Sequence, residues 1–367
     1  MKILHLNTEK TWRGGEQQTL NLLQGLQPRG ITAHLVCQPS SHLAARARNA
    51  QIKVFPVAMR GEVDLLASRR LRKLIQTFRY DIIHAHTSHA HMLAFLSSIG
   101  IQTRRLVTRR VDFSIYRHSF LRLSGLKYRF MADYYIAISR KIKEVLVQDG
   151  IAADRIFVVP SGIHADRFAE DRSDHLIAEF EIQPHEQIVL NVAHLAGHKG
   201  QQYLVQAIPR VLAEIPHTRF FIVGGGALMD ELQALAASLG LDRKLVFTGF
   251  RTDVGAFYHL ADLFVMSSVQ EGLGTAVLDA LALGKPVVAT RSGGLPEIIH
   301  DGETGKLVAA ADPGSLAEGI VEMLTETERA QQMAQRGQKM VRQKFSMEAM
   351  VDKNVEVYQH ILKADNR

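Results

Sequence analysis

The stretch from Val265 to Gly305, VMSSVQEGLGTAVLDALALGKPVVATRSGGLPEIIHDGETG, admits few folds. Leu263 to Met266 is an apolar run ending in Ser267 and Ser268, the pattern of a buried strand reaching a loop. Gly272 and Gly274 then leave little side chain to obstruct a ligand, and Ala276 to Leu283 carries apolar residues at helical spacing. Gly284-Lys285-Pro286 stops this helix, because proline cannot continue it. Val287 to Thr290 is a second buried strand, emptying into Gly293-Gly294 ahead of a short helix around Pro296 to Ile299. Two glycine turns at the carboxyl ends of parallel strands form the ligand crevice of an open α/β sheet.

The same alternation runs through the chain. Strands are expected over Lys2–Leu6, Ala33–Cys37, Lys53–Val57, Asp81–His86, Leu106–Thr108, Tyr134–Ile138 and Ile156–Val159, with helical periodicity between them. The pattern restarts at Ile188–Val192, Arg219–Val223 and Leu245–Thr248. At 367 residues the chain exceeds one typical core, so two doubly wound domains are expected. Thr11 to Glu16 reads as a glycine turn after the first strand. It lacks the G-x-G-x-x-G spacing, which disfavours a nicotinamide cofactor.

Free backbone N–H groups at a helix start favour an anion, phosphate above all. Glu271 and Asp279 stand eight positions apart with helix between them. Carboxylates are repelled by phosphate and serve hydroxyls instead, by accepting hydrogen bonds. Phosphate on amides and hydroxyls on two acids describe a sugar nucleotide.

At this point the run resembles the C-terminal signature of the GT4-type retaining glycosyltransferases (glycosyltransferase group 1). These have the GT-B fold and carry two glutamates separated by seven residues; Glu271 matches the first, and Asp279 stands in place of the second. The resemblance implies two Rossmann-like doubly wound parallel-sheet domains facing a central cleft. They would span 1–165, completed by a closing helix over 347–363, and 166–346. It implies that Glu271 contacts donor-sugar hydroxyls, Asp279 the ribose, and the backbone of Gly272, Leu273, Gly274 and Thr275 the sugar and phosphates. Lys199 matches the family lysine that holds the diphosphate, whereas His194 stands where an arginine is usual, supplying one donor in its neutral form where arginine supplies five. Gly15 would approach the diphosphate, His86 the donor sugar, and Gly249-Phe250-Arg251 the nucleobase through backbone atoms. His86, Lys199 and Glu271 are thereby the candidate catalytic groups.

Other features are read from the residues themselves. Arg109 and Arg110 at a carboxyl strand end suit phosphate or carboxylate by bidentate pairing and are assigned to acceptor binding. His84, His86, His89 and His91 invite a metal, but they lack the i, i+4 spacing of a zinc motif, so none is expected. His84 reads as a packing residue. Residues 1 to 165 hold 25 Lys and Arg against 10 Asp and Glu, the remainder 19 against 27, so the first half is expected to face an anionic partner. Leu65 to Phe78 is a basic amphipathic helix with a solvated face. Tyr116 to Phe130 mixes basic and aromatic residues and reads equally as a surface for an anionic membrane or as a packed helix with solvated arginines, Gly125 weakening the first. No module signature supports nucleic acid. The single cysteine, Cys37, rules out an intramolecular disulfide and reads as buried. Neither a signal peptide nor an apolar stretch approaching 18 residues is present, so the expected site is the cytoplasm, with peripheral contact at the inner membrane face.

The sequence therefore reads as a metal-independent glycosyltransferase without a cofactor. Its donor would be a nucleoside-diphosphate sugar, UDP first and GDP or ADP next, and its acceptor a glycan or a lipid-linked hydroxyl of the bacterial envelope. Two alternatives stay open: another GT-B enzyme, such as a sugar-nucleotide epimerase or phosphorylase, and a non-catalytic sugar-nucleotide binder.

Overall fold

The computed structural model describes residues 1–116 and 124–364. Part of the Tyr116 to Phe130 segment thus lies outside the described residues. The chain forms two compact units, Met1–Gly162 with Met347–Arg367, and Ile163–Ser346.

The first unit is a parallel sheet of seven strands: β1 Lys2–Leu6, β2 Thr32–Cys37, β3 Lys53–Pro56, β4 Ile82–Ala85, β5 Arg104–Arg109, β6 Tyr134–Ala137 and β7 Ile156–Val158, in the order β3-β2-β1-β4-β5-β6-β7. Leu4 of β1 pairs with His34 and Ile83 on either side. A strand covered on both faces reads as a continuous apolar run, as Ile82-Ile83 does. Leu22 and Leu26 of the Gly14–Leu26 helix pack with Val351, Tyr358 and Ile361 of the Met347–Ala364 helix over Ile3, Ile82, Leu106 and Ile136. A second cluster joins Leu20, Leu23 and Leu35 to Cys37 and Leu43. Side-chain oxygens of Ser41, Asp64, Thr87 and Ser139 accept backbone N–H bonds at four helix starts; each such cap is worth about 1 kcal/mol.

The second unit has six parallel strands: β8 Gln187–Val192, β9 Thr218–Val223, β10 Leu245–Gly249, β11 Leu263–Met266, β12 Val287–Thr290 and β13 Lys306–Val308, in the order β10-β9-β8-β11-β12-β13. Both orders start at the middle strand and switch direction there, which opens a crevice at the carboxyl edge beside β1 and beside β8. Leu204, Ile208, Phe220, Ile222, Val265 and Ile320 build the core of this unit.

One expectation needs correction. Gly14 and Gly15 are not a loop but the first turn of the Gly14–Leu26 helix, whose start is closed by Glu16 Oε2 accepting the Arg13 N–H at 3.1 Å. A carboxylate three residues into a helix satisfies an otherwise orphan donor, so the helix begins earlier than its apolar periodicity does. Among the described residues no helix is long and apolar enough to cross a membrane.

Candidate functional site

In the second unit the loops leaving β8, β11 and β12 interlock. The His198 carbonyl accepts N–H bonds from Val269 and Gln270 at 2.9 and 3.1 Å, and Ser267 Oγ donates to the Lys199 carbonyl at 3.2 Å. The Glu271 carbonyl accepts from Gly294 N–H at 2.9 Å, while Thr290 and Ser292 both donate their hydroxyls to the Ser268 carbonyl. These bonds fix the backbone that carries Glu271. Lys199 Nζ donates to Glu271 Oε2 at 2.6 Å, and Ser268 Oγ donates to the same oxygen at 3.0 Å. The carboxylate side chain is 10% exposed and the lysine 19%, so the pair is poorly screened yet reachable.

After Glu271 the chain turns through Gly272 and the buried Leu273 to Gly274, at φ +96°, a conformation that disfavours side chains. A Cβ there would also meet Leu295 at 2.7 Å. Thr275 opens the Thr275–Ala282 helix, in which Val277 and Leu278 are bonded back to the Gly274 carbonyl. Asp279 lies on this helix, one turn in and only partly exposed. Loss of solvation pushes its carboxyl up to about 7, with Arg167 pulling the other way.

The loops after β8 and β9 are equally close. Leu195 N–H donates to the Gly225 carbonyl at 3.0 Å, and a Cβ at Gly224 or Gly226 would overlap the Ala193 or Leu195 carbonyl. Backbone packing thus requires glycine at Gly224 and Gly226. His194, between these contacts, has an exposed side chain. Gly249 ends β10, Phe250 stands 76% exposed beyond it, and the Arg251 guanidinium is committed to Glu179 and Asp253 at 2.7 to 2.9 Å. The Arg251 charge is therefore balanced within the protein.

In the first unit a cavity of about 530 Å³ opens at the carboxyl ends of β4 and β5, with His86, Thr108, Arg109, Arg110 and Tyr128 in its lining. His86 clusters with two other buried imidazoles, His5 and His84. His5 Nδ1 and His86 Nε2 are 2.9 Å apart, and His84 bonds to the Tyr358 hydroxyl at 2.8 Å and the Thr108 hydroxyl at 2.6 Å. Burial holds all three well below the usual imidazole range, His5 down to about 3. Their nitrogens lie within 4.8 Å of one another, the separation a metal would need. Both His84 nitrogens, however, are occupied by hydroxyls, so ligation would cost one of these bonds. The arrangement suits a neutral hydrogen-bonded chain. His5 escaped the sequence reading because it lies in another strand; the signal was its place in β1, beside β4.

The paired arginines separate. Arg109 turns inward, Nη1 donating to the Tyr128 hydroxyl and Nη2 to the Phe113 carbonyl, both at 2.6 Å. Arg110 packs its stem against Gly15, whose Cβ position is 3.6 Å from Arg110 Cδ.

Two parallel sheets with this strand order, one bearing an acid and a lysine on interlocked glycine turns, define a GT-B protein. Residues 173–340 match the family described as "Glycosyl transferases group 1", and residues 12–167 match "Glycosyltransferase Family 4". The GDP-mannose-dependent alpha-(1-6)-phosphatidylinositol monomannoside mannosyltransferase of Mycolicibacterium smegmatis is 31% identical over 259 residues, covering 66% of this chain and 68% of that one. The N-acetyl-alpha-D-glucosaminyl L-malate synthase of Bacillus anthracis is 25% identical over 82% of this chain and 80% of its own. The structure of Anabaena Alr3699/HepE in complex with UDP and glucose superposes with a TM-score of 0.85 at 21% identity, covering 98% of this chain and all of that one. The chain belongs to the group 1, family 4 glycosyltransferases.

Proposed function

We propose that the protein is a retaining glycosyltransferase that moves a sugar from a nucleoside-diphosphate sugar to a hydroxyl of a glycan or lipid-linked acceptor in bacterial envelope polysaccharide synthesis. The observation that carries this reading is the Lys199–Glu271 pair at 2.6 Å on the carboxyl edge of β8 and β11. One group is suited to a leaving diphosphate and the other to sugar hydroxyls, and both are held before any ligand arrives. Gly15, His194 and the Gly272 to Thr275 backbone would surround the diphosphate, Gly249 to Arg251 the base, and Asp279 the ribose.

The acceptor hydroxyl oxygen forms the new bond to the anomeric carbon on the face from which the phosphate leaves. The carbon–oxygen bond to phosphate breaks with its electron pair, and the acceptor proton passes to the departing phosphate oxygen. Lys199 and the helix amides offset the charge that develops there, which is why no metal is assigned to the step. UDP is the preferred nucleotide; it is the one bound in the Anabaena protein, whereas the mycobacterial relative is named for GDP-mannose.

Exposed Val63, Leu65 and Leu66 beside exposed Arg69, Arg70 and Lys73 support peripheral contact of a cytoplasmic enzyme with an anionic membrane. The reading is tested by thermal shift against UDP, GDP, ADP, CDP and their common sugars, since a ligand of the native state raises the melting temperature. One nucleotide should shift it, with the extra shift from its sugar form lost in Glu271→Ala. No shift with any of them would sink the proposal, and binding without turnover on any acceptor would favour a binder instead.

A further inference from the structure

Three cations line the cavity of the first unit, and two of them hold internal hydrogen bonds through their terminal nitrogens, although the Arg109 Nε is buried without a partner among the described residues. Arg109 is spent on Tyr128 and Phe113, and Lys127 Nζ donates to Glu62 Oε1 at 2.9 Å and to the Ser88 carbonyl and hydroxyl at 2.8 and 3.1 Å. Arg110 has neither a hydrogen bond nor an ion pair among the described residues, and its Nε is buried without a partner. The carboxylate it feels most, Glu16, is engaged with Asn7 Nδ2 at 3.2 Å and with the Arg13 N–H. Glu9 also lines the cavity, with its side chain exposed to solvent.

Burial lowers the Arg110 guanidinium to about 10, so it stays charged at neutral pH. A half-buried charge with no ion pair among the described residues is costly unless a ligand supplies the counter-charge. The stem runs beside Gly15, its Cδ 3.6 Å from where a Cβ would stand. The cavity, at about 530 Å³, has room for a sugar unit.

We propose that Arg110 is the anion-recognition residue of this cavity, binding a phosphate or carboxylate group of a substrate in bidentate fashion. This deepens the glycosyltransferase reading, on which it rests for calling the ligand a substrate. The anion belongs either to the donor diphosphate or to an acidic or phosphorylated acceptor sugar.

Full-length wild type, Arg110→Gln, Arg110→Lys and Arg109→Gln would be titrated calorimetrically with UDP, GDP, inorganic phosphate, glucose 1-phosphate, glucuronate and glucose. At least one anionic probe should bind wild type tenfold or more tighter than glucose. That preference should vanish in Arg110→Gln, survive in part in Arg110→Lys, and weaken with added salt. Arg109→Gln should instead lower the melting temperature, because it loses two internal bonds. If Arg110→Gln also weakens UDP or GDP tenfold, the anion is the donor diphosphate; if nucleotide affinity is unchanged, it belongs to the acceptor. Equal binding of anionic and neutral probes to wild type, or equal anion binding by wild type and Arg110→Gln, overturns the proposal. Should Arg110→Gln fail to fold, wild type against Arg110→Lys decides, the loss of bidentate geometry being read as a several-fold weakening. Anion binding through Arg110 in a protein that binds no nucleotide would fail the glycosyltransferase reading alone.

Discussion

Lys199 and Glu271 are 72 residues apart in sequence and joined at 2.6 Å, with Ser268 completing the contact. Breaking a buried pair strands one charge, which costs about 3–5 kcal/mol when burial is complete; the remaining exposure here places the expected cost at about 2 kcal/mol. Lys199→Met and Glu271→Gln should each lower the melting temperature, and the double variant should lose less than the sum. In turnover assays with the matched donor, Glu271→Gln should reduce kcat about 100-fold or more.

Asp279 makes stability depend on pH. Its folded value, about 7, lies above the ordinary 3.8, so its contribution is complete below about 3.8 and is lost as pH rises through about 7. Asp279→Asn should match wild type at pH 4 and melt higher at pH 8. If ribose hydroxyls donate to this carboxylate, nucleotide affinity should rise between pH 6 and 8 in wild type but not in the variant. Calorimetry at three pH values checks both.

The buried histidines act in the opposite sense. His5, His84, His86 and His91 are all neutral in the folded chain through burial. Unfolded imidazoles take up protons near 6.5, so their stabilising contribution is present above that pH and lost as pH falls below it. Each adds up to about 1.4 kcal/mol per pH unit to the slope in this window. His91, whose two ring nitrogens lack partners and whose ring stands 5.1 Å from that of Tyr128, is the one to replace. His91→Phe should keep the fold and flatten urea-measured stability between pH 6.5 and 4.

Gly224 is at φ +142°, and a Cβ would overlap the Ala193 carbonyl. Gly224→Ala should cost at least about 2 kcal/mol by strain and overlap. Gly197, with open space around it, is the control. Gly197→Ala should be nearly neutral in chemical denaturation.

Membrane contact predicts a clean separation of effects. Leu65→Ser with Leu66→Ser should leave the melting temperature unchanged, both side chains being more than 60% exposed. The same change should abolish sedimentation with phosphatidylglycerol vesicles, which wild type should show at low salt only. Equal sedimentation of both proteins would remove the membrane from the account.

Strands and helices were readable because local rules govern them. Apolar runs of four residues marked β11 and β12, and Gly284-Lys285-Pro286 marked the end of the helix between them, since burial and helix termination act over a few residues. The place of Glu271 on a glycine turn ahead of a helix was readable for a related reason: acid, glycines and helix start are contiguous. What one segment does to another was not. Arg109 and Arg110 are adjacent and alike in sequence, yet one is hydrogen-bonded to Tyr128 and Phe113 and the other has no hydrogen bond among the described residues, a difference set in part by a residue 19 positions away. His5 joins His86 only because β1 and β4 are neighbours in the sheet. At Gly224 and Gly226 a side chain is excluded by the carbonyls of Ala193 and Leu195, which belong to the loop after a different strand. By itself the sequence determined which segments are buried strands, which are helices and where an acid meets a glycine turn. Only the tertiary structure decided which charges are spent and which remain for a ligand, because pairing and desolvation depend on distances across the sheet that no local pattern encodes.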